Sequence, residues 1–347
     1  MVYEGNALVT GACGFSASYL IEELLKKNYR VFATDIKITD EFYKRFYDRV
    51  WFKVADLSQY ADLANLFEWI KSLNGEDLII FHTASVFNYS ADWDLLYKVN
   101  VIGTENLLSM AEDYNAKKFI LWSSLAVYGE VNKKTYNLPV TEDQILNDKE
   151  GGLYDQSKRL QEDVIIIKST IPSIIMRVAP IYGEGSKYGF YTLMKYVKQH
   201  SVAGVPRNIR KRMLPMIHAE DVARVAIYLS DSKYNNKTYN ICDDNSLNML
   251  DTLKWVSFLT DAHMKVVAPM YLKLLKPLLM FFGKLSAWRY KKKGMQPKLE
   301  TDAMIYMFGN YWFSNEKLKS TGFNFKYPDR RIGLVKTVDW YNENGWK

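Results

Sequence analysis

The segment "TGACGFSASYL", residues 10–20, decides the fold because it joins a short apolar run to an amphipathic helical pattern. Gly11, Gly14 and Ala17 follow one another at intervals of three within it. Gly11 would allow a tight turn, Gly14 a close approach of the backbone to a pyrophosphate, and Ala17 the packing of helix on strand. A phosphate would then lie at the helix N-terminus. The segment therefore predicts a dinucleotide-binding turn, with an ordinary strand-to-helix turn as the alternative.

Apolar runs alternate with amphipathic helical patterns along the first half of the chain. After "NALVTG" come "SYLIEELLKK", "RVFATD", "DLANLFEWIKSL", "LIIFHTAS", "GTENLLSMAED" and "KFILWSS". Strands and helices in alternation are typical of an α/β protein with a parallel sheet. "SIIMRVAPIYG" and "KTYNICD" are two further apolar runs that could extend that sheet. We therefore predict a Rossmann-type doubly wound parallel sheet.

The composition of the 347 residues is that of a folded globular protein, with 48% hydrophobic and 24% charged residues. The net charge of +7 is modest for this length and no basic-aromatic RNA-binding pattern is present, so we expect no nucleic-acid partner. Cys13 and Cys242 are too few for a disulfide framework, and the N-terminus lacks the pattern of a secretory signal. We predict a cytoplasmic protein without a metal site.

The residue that ends the run "VFATD" bears on the choice of dinucleotide. This residue is Asp35, and an acidic side chain at this place accepts hydrogen bonds from an adenosine ribose. Its carboxylate would repel a 2′-phosphate. We therefore predict NAD as the cofactor, while the nearby Lys37 keeps NADP open.

A series of short motifs follows the glycine-rich segment. The motifs are "ADL" at 55–57, "HTAS" at 82–85, "NVIGTENLL" from Asn100, "SSLAVYG" from Ser123 and "YDQSK" from Tyr154. In this order, and with "TGACGFSA" before them, they resemble the extended short-chain dehydrogenase/reductase family. That family contains NAD-dependent epimerases and dehydratases of nucleotide sugars as well as 3β-hydroxysteroid dehydrogenases. The motifs cover most of the chain.

The resemblance implies two domains and a cofactor site. Residues 1–180, with residues 216–243 returning to them, would form the NAD-binding Rossmann domain. Residues 181–215 and 244–347 would form a smaller, mostly helical domain that binds a small-molecule substrate. The residues that the resemblance places at the cofactor are Gly11, Gly14, Phe15, Ser16, Asp35, Asp56, Leu57, Thr83, Ala84, Ser85, Asn100, Tyr154 and Lys158.

The tyrosine and lysine of "YDQSK" are the predicted catalytic pair. Spacing alone does not select Tyr154 and Lys158, because two other pairs share it. Tyr154, however, follows a serine-bearing strand end and precedes a helix, which is the position that the family uses for catalysis. We expect the other two pairs to lie on helix surfaces. These pairs are Tyr114 with Lys118 and Tyr191 with Lys195.

A helix places positions four apart on one face, so the Lys158 ammonium would lie beside the Tyr154 phenol and the cofactor ribose. A nearby cation favours phenolate, and Tyr154 could then act as a general base near neutral pH while a hydride passes to the nicotinamide. Ser124 stands three residues before Val127 of "VYG", as the catalytic Ser or Thr of the family does. It would hydrogen-bond the reacting oxygen.

The neighbours of Ser124 exclude one activity. Ser123 is expected to be structural. Family members that dehydrate nucleotide sugars carry an Asp-Glu pair where this chain has Leu125 and Ala126. Neither apolar side chain can protonate a leaving hydroxyl or remove a carbon-bound proton. We therefore expect no 4,6-dehydratase activity.

Two further departures from the family pattern weaken the case for a nucleotide-sugar substrate. Many such enzymes have an Arg where this chain has Leu214, and often an Asn where it has Pro180. The basic run at 207–212 could bind a diphosphate by another route, or it could be a solvated loop. The basic residues of the run are Arg207, Arg210, Lys211 and Arg212.

The C-terminal part contains an amphipathic stretch, residues 269–288, followed by a basic run that ends at Lys293. It could roof an apolar pocket or lie on a membrane interface, but an ordinary domain helix is favoured over peripheral membrane contact. Earlier, "IHAEDVA" resembles the family's returning segment. We expect His218 to make a packed hydrogen bond and Asp221 to cap the next helix.

Three functional hypotheses follow. The first is hydride transfer between NAD and an apolar secondary alcohol or ketone, as in 3β-hydroxysteroid dehydrogenase-like enzymes. The second is a nucleotide-sugar epimerase with the same Ser124, Tyr154 and Lys158, and the third is a non-catalytic dinucleotide sensor. The resemblance also implies a homodimer that forms through the helices of "GTENLLSMAED" and "YDQSKRLQEDVIII".

We predict that Tyr154→Phe nearly abolishes turnover while cofactor binding is preserved, because the substitution removes only the proton-transferring hydroxyl. Turnover and NAD binding are measured on the same preparation. Normal turnover in the variant would refute the assignment.

Overall fold

The computed structural model describes residues 3–87, 91–132, 134–146, 151–199, 205–244, 246–268 and 309–346, with single positions at 277, 281, 285 and 289. The predicted amphipathic and basic stretch, 269–293, therefore lies outside the described residues except at those positions. Within the described part of the chain, no helix has the length and apolar character needed to span a membrane.

Strands and helices alternate along the chain. The strands are β1 (Gly5–Thr10), β2 (Tyr29–Asp35), β3 (Trp51–Val54), β4 (Leu78–His82), β5 (Lys118–Ser124), β6 (Ser173–Val178), β7 (Ile181–Tyr182), β8 (Val205–Pro206), β9 (Ile217–His218), β10 (Lys237–Ile241) and β11 (Val266–Val267). The α-helices are α1 (Phe15–Lys26), α2 (Asp40–Phe46), α3 (Tyr60–Ser72), α4 (Trp93–Leu96), α5 (Gly103–Asp113), α6 (Leu153–Lys168), α7 (Phe190–Lys198), α8 (Ala219–Leu229), α9 (Met249–Leu259), α10 (Glu316–Lys319) and α11 (Arg330–Asn344).

A 7-stranded sheet forms the centre, with the order β10-β6-β5-β4-β1-β2-β3. Each pair of neighbouring strands in it is parallel. Every residue of β4 and β6 is buried, as expected for parallel strands that are covered on both faces. One core packs α1 and α8 on one face, and another packs α3, α5 and α6 on the opposite face. The predicted Rossmann-type doubly wound sheet is confirmed.

Two elements of the first half do not follow from the hydrophobic pattern. The edge strand β3 has only 4 residues, Lys53 interrupts its apolar side chains, and none of its residues is buried. Helix α2 has only 7 residues. The run "SIIMRVAPIYG" also divides at Pro180, and its second part, β7, leaves the main sheet to pair with β9.

A separate hydrophobic core lies between α7, α9 and α11. Tyr182, Met194, Leu253, Leu334 and Val338 are among its buried residues. This core lies almost entirely in ranges that the sequence assigns to the substrate domain. The domain boundaries themselves stay a prediction.

A buried ion pair attaches α11 to the end of β10. Arg330 donates to both carboxylate oxygens of Asp243, at 2.9 and 2.6 Å, and both side chains are almost fully buried. Arg330 also donates to the carbonyl of Leu214 at 2.7 Å. The adjacent pair of Arg331 and Asp329 is far more exposed.

We predict that Arg330→Ala lowers the free energy of unfolding by about 3–5 kcal/mol, because it leaves Asp243 as an uncompensated buried charge. The matched control is Arg331→Ala, which breaks an exposed pair and should cost at most about 1 kcal/mol. Chemical denaturation measures both values. Equal losses in the two variants would contradict the prediction.

Candidate active site

The glycine-rich turn connects β1 to α1. Gly11 has φ +63°, and a Cβ on it would lie 2.6 Å from the Cα of Ala84, which follows β4. Gly14 is the N-cap of α1, and a Cβ on it would lie 3.0 Å from the Gly11 carbonyl oxygen. Both positions therefore leave the backbone uncovered where the first turn of a helix can bind an anion. The first two residues of that turn are Phe15 and Ser16.

Asp35, at the end of β2, lies against this turn. One carboxylate oxygen accepts the Cys13 backbone N–H at 3.0 Å and the other accepts the Ile36 N–H at 2.8 Å. Burial raises the pKa of Asp35, and the two backbone hydrogen bonds partly oppose that rise. The carboxylate is thus fixed at the carboxyl edge of the sheet.

Asp56 and Leu57 lie beside it, just after β3. The Ala55 N–H donates to the Asp35 carbonyl at 3.1 Å, which extends the pairing of β2 with β3. Asp56 accepts both the backbone N–H and the hydroxyl of Ser58, at 2.9 and 2.7 Å. The structure therefore brings Asp35, Asp56 and Leu57 to one end of two neighbouring strands.

Thr83, Ala84 and Ser85 follow β4 on the other side of β1. The Thr83 hydroxyl donates to the Thr10 carbonyl at 2.6 Å, and the Ala84 N–H donates to the Thr10 hydroxyl at 3.3 Å. The loop after β4 is therefore held against the strand that precedes the glycine-rich turn.

Asn100 is fully buried in a π-helical turn between α4 and α5. Its Oδ1 accepts the Ser85 hydroxyl at 3.0 Å and the Val86 N–H at 2.8 Å, while its Nδ2 donates to Ser157 at 3.0 Å. Asn100 thus ties the loop after β4 to α6. Its contact with the cofactor stays a prediction.

Tyr154 and Ser124 meet where β5 ends and α6 begins. The two side chains share a hydrogen bond, and the Ser124 hydroxyl also accepts the Ala126 N–H at 3.1 Å. Burial raises the pKa of Tyr154 far above its ordinary value, the Asp155 carboxylate adds to this rise, and the Ser124 hydrogen bond opposes it. The phenol is therefore in its proton-donating form at neutral pH.

The surroundings of the phenol are apolar. Tyr154 packs in one small cluster with Ala91, Leu96 and Ala126. The ring of Phe87, which is 55% exposed, lies edge-to-face on the Tyr154 ring with centroids 5.3 Å apart. A substrate that reaches Tyr154 from the Phe87 side would contact an aromatic surface.

Lys158 lies one helical turn after Tyr154 and is buried. Its Nζ donates to the Trp122 carbonyl at 2.9 Å and to Gln161 Oε1 at 2.8 Å. Burial lowers the pKa of Lys158 to about 7, and the Glu162 carboxylate opposes that change. The expected lowering of the Tyr154 pKa by Lys158 is not found in this arrangement, because burial dominates both groups.

The sequence interpretation missed the residues behind Lys158. Glu162 forms a buried ion pair with Arg177 at 2.8 Å and accepts the Ser123 hydroxyl at 2.5 Å, so Ser123 is structural as expected. Gln161 and Glu162 follow Lys158 by three and four positions. This spacing on one helix is the signal that could have found them.

The other tyrosine–lysine pairs are not on helix surfaces, so that expectation is wrong. Lys118 is buried at the start of β5 and donates to the Leu229 carbonyl at 3.1 Å. Tyr191 is buried in the core between α7, α9 and α11, where apolar packing outweighs the polar hydroxyl.

The capping of α8 also differs from the expectation. His218, not Asp221, is the N-cap, and its Nδ1 accepts the Glu220 N–H at 3.2 Å. Asp221 lies inside the first turn and accepts the backbone N–H groups of Lys326 and Tyr327 at 2.7 and 2.8 Å. The carboxylate therefore binds a distant loop, while the imidazole takes the capping position.

A cavity of about 670 Å³ opens beside the glycine-rich turn. It is lined by residues of α1 and α2, by the loop around Glu184 and by residues of α11. Ser124, Tyr154 and Lys158 are not among its lining residues. It is therefore distinct from the tyrosine site.

A family model described as "NAD dependent epimerase/dehydratase family" matches residues 7–242. The chain belongs to this family. The match begins in β1 and ends just after β10, so it includes the central sheet except for Gly5 and Asn6. It confirms the predicted family and the prediction of an NAD-dependent enzyme.

Curated relatives include two kinds of enzyme. The chain is 29% identical over 163 residues to the decarboxylating sterol-4-alpha-carboxylate 3-dehydrogenase of Bos taurus, a match that covers 46% of the chain and 40% of the relative. It is 20% identical to the Schizosaccharomyces pombe protein of that description, over 96% of the chain and 97% of the relative. It is 30% identical to the UDP-glucose 4-epimerase of Caenorhabditis elegans, over 58% of the chain and 63% of the relative.

Solved structures share the fold over nearly the whole chain. The structure of gox2253 has a TM-score of 0.75 at 20% identity and covers 99% of both chains. The Bordetella bronchiseptica enzyme WbmH, in complex with NAD+, has a TM-score of 0.72 at 16% identity and covers 98% of this chain and 99% of its own.

We predict that Gly11→Ala weakens NAD binding by about tenfold or more and destabilises the fold, because its Cβ would collide with the Ala84 backbone. Gly189→Ala is the matched control, since Gly189 has φ +62° and its Cβ would meet nothing within 4 Å. Calorimetry gives the affinities and denaturation gives the stabilities. Equal effects of the two substitutions would show that backbone strain alone is responsible.

Proposed function

We propose that the protein transfers a hydride between NAD and an apolar secondary alcohol or ketone, with Tyr154 as the acid/base. The observation that carries this proposal is the position of Ser124, Tyr154 and Lys158, at the carboxyl edge of the sheet on which the glycine-rich turn also lies. The relatives described as sterol-4-alpha-carboxylate 3-dehydrogenases support it.

The residues around the glycine-rich turn fit NAD. Gly14 leaves room for a pyrophosphate at the N-terminus of α1, since a Cβ there would press on the Gly11 carbonyl. The Asp35 carboxylate would accept hydrogen bonds from the adenosine ribose, which favours NAD over NADP, and Asp56 and Leu57 would lie at the adenine. The bound cofactor accepts or supplies the hydride.

The chain's own groups would move the proton. In reduction of a ketone, the Tyr154 hydroxyl donates its proton to the oxygen of the substrate while Ser124 donates a hydrogen bond to the same oxygen. In oxidation, Tyr154 takes the proton back and must first be a phenolate. A charged Lys158 favours that phenolate, which makes the protonation of Lys158 important for the reaction.

The walls around Tyr154 favour an apolar substrate. Ala126 is buried in contact with the phenol cluster, and Phe87 presents an exposed ring beside it. The buried Leu125 offers no acid or base for dehydration. We propose that the substrate binds between this surface and the smaller domain that the sequence predicts for 181–215 and 244–347.

A nucleotide-sugar epimerase is the second candidate, and the UDP-glucose 4-epimerase of Caenorhabditis elegans supports it. A diphosphate would need a cationic clamp. Arg330 contacts the Leu214 carbonyl, but Asp243 already neutralises its charge. Arg210 is exposed and lies 3.6 Å from Asp251, so the basic run at 207–212 is the better source of a clamp.

We further propose a homodimer that forms through α5 and α6. Ile166 and Ile167 of α6 are 63% and 77% exposed, although both are large apolar side chains. Burying them against a second copy would remove that surface from water. A cytoplasmic location is proposed from the composition, and peripheral membrane contact through 269–293 stays the less favoured alternative.

The test incubates the purified protein with NAD and separate pools of apolar secondary alcohols and nucleotide sugars, and follows NADH and product identity by chromatography with mass detection. We expect NADH to accumulate with an apolar alcohol, because hydride transfer to NAD is then not reversed. Tyr154→Phe serves as the control and should form none.

Sugar isomers that interconvert without net NADH would instead establish the epimerase. Cofactor binding without turnover in any pool would leave the dinucleotide sensor. Either outcome would overturn the dehydrogenase proposal.

A further inference from the structure

A buried chain of hydrogen-bonded side chains connects Lys158 to β4 and β1. Gln161 Oε1 accepts from Lys158 Nζ at 2.8 Å, and Gln161 Nε2 donates to Thr104 Oγ1 at 2.7 Å. The His82 ring contacts Thr104 Oγ1 through Nε2 and Thr10 Oγ1 through Nδ1, both at 2.8 Å. All five residues are almost fully inaccessible to solvent. We call this set the Gln161 chain.

The direction of each hydrogen bond follows from Thr104. A threonine hydroxyl has one proton, and the Thr104 hydroxyl donates it to the Asn100 carbonyl at 2.6 Å. Thr104 Oγ1 must therefore accept from both His82 and Gln161. The amide nitrogen of Gln161 consequently faces Thr104 and its oxygen faces Lys158. With the amide flipped, the NH₂ group of Gln161 would face the Lys158 ammonium, and two donors would then meet without an acceptor between them.

The end of the Gln161 chain that is far from Lys158 is uncharged. Burial, with the nearby charge of Lys158, lowers the pKa of His82 to about 3, so the ring is neutral near pH 7. The bond from Nε2 to Thr104 then requires the proton on Nε2, and Nδ1 accepts from Thr10. Thr10 directly precedes Gly11. The same network therefore holds Lys158 and the strand that leads into the glycine-rich turn.

We propose that Gln161 is a positioning residue that keeps Lys158 charged and directs its remaining N–H toward the bound dinucleotide. An ammonium has three N–H donors, and the Trp122 carbonyl and Gln161 Oε1 accept two of them. The third is then available to a ribose hydroxyl of NAD. This inference rests on the proposed function, in which Lys158 contacts the cofactor.

Other charges around Lys158 do not replace Gln161. Glu162, on the same helix, favours the ammonium, but its carboxylate is hydrogen-bonded to Arg177 of β6 and to Ser123 of β5. His82 of β4 is neutral and Tyr154 of α6 is protonated. The Trp122 carbonyl and Gln161 Oε1 are therefore the groups that bind the ammonium directly, and they act together with Glu162 against the effect of burial.

The test measures the affinity of the purified protein for NADH as a function of pH, by the fluorescence of the bound cofactor. It needs no knowledge of the substrate. Affinity should fall as pH rises through the point at which Lys158 loses its proton. Lys158→Met should remove this pH dependence.

Gln161→Leu removes the acceptor and disfavours the ammonium, so the midpoint should move about one pH unit lower. Gln161→Glu places a carboxylate beside the ammonium, so the midpoint should move higher. The control is Gln156→Leu, the same substitution at an exposed position of α6, which should leave the midpoint unchanged. Circular dichroism verifies the folding of each variant, and Gln161→Glu keeps the test usable should Gln161→Leu not fold.

Two results would overturn the inference in different ways. If Lys158→Met removes the pH dependence but the Gln161 variants keep the wild-type midpoint, Gln161 does not hold the proton, and the proposed function stands. If Lys158→Met leaves both the affinity and its pH dependence unchanged, Lys158 does not contact the cofactor, and the proposed role of Lys158 fails together with the inference.

Discussion

The divergence of the sheet between β1 and β4 is the constraint on which the site depends. These strands are neighbours, but the chain continues from β1 toward β3 on one side and from β4 toward β10 on the other. The loops that follow them therefore turn apart and open a crevice at the carboxyl edge. Gly11 and Ala84 border that crevice, and the missing side chain of Gly11 lets the two loops approach each other. Asp35 ends β2 on one side of it, and Ser124, which shares a hydrogen bond with Tyr154, ends β5 on the other.

Burial sets the electrostatics of the groups that we propose to react. It favours the neutral phenol at Tyr154 and the neutral amine at Lys158, whereas oxidation of an alcohol needs the opposite ionic pair. The Tyr154 phenol is thus ready to donate a proton, but it needs other groups that favour the phenolate before it can accept one. The Ser124 hydrogen bond acts toward the phenolate, and Glu162 acts toward the ammonium. Ser124 thus opposes the effect of burial on Tyr154, and Glu162 opposes the effect of burial on Lys158.

Local patterns are sufficient to predict the buried strands and the glycine-rich turn. β4 and β6 are recognisable because strands that are buried at every position carry mostly apolar residues. Gly11 and Gly14 stand where small residues are required. β3 escapes prediction because it has only 4 residues and Lys53 interrupts its apolar side chains. The spacing of Gln161 from Lys158 indicates that the two can meet, but the orientation of the Gln161 amide depends on Thr104, which is 57 positions away. Sequence therefore predicts candidates for the reacting residues, while tertiary contacts decide how the protons of those residues are held.

The ion pair of Arg330 with Asp243 has a consequence for biosynthesis. The two residues are 87 positions apart, and Asp243 follows the last strand of the central sheet. Domains generally fold from the N-terminus as the chain leaves the ribosome. The edge at β10 cannot acquire its counter-charge until translation has passed Arg330. A nascent chain can therefore assemble the strands around the glycine-rich turn early, but the edge of the sheet at β10 must wait for α11.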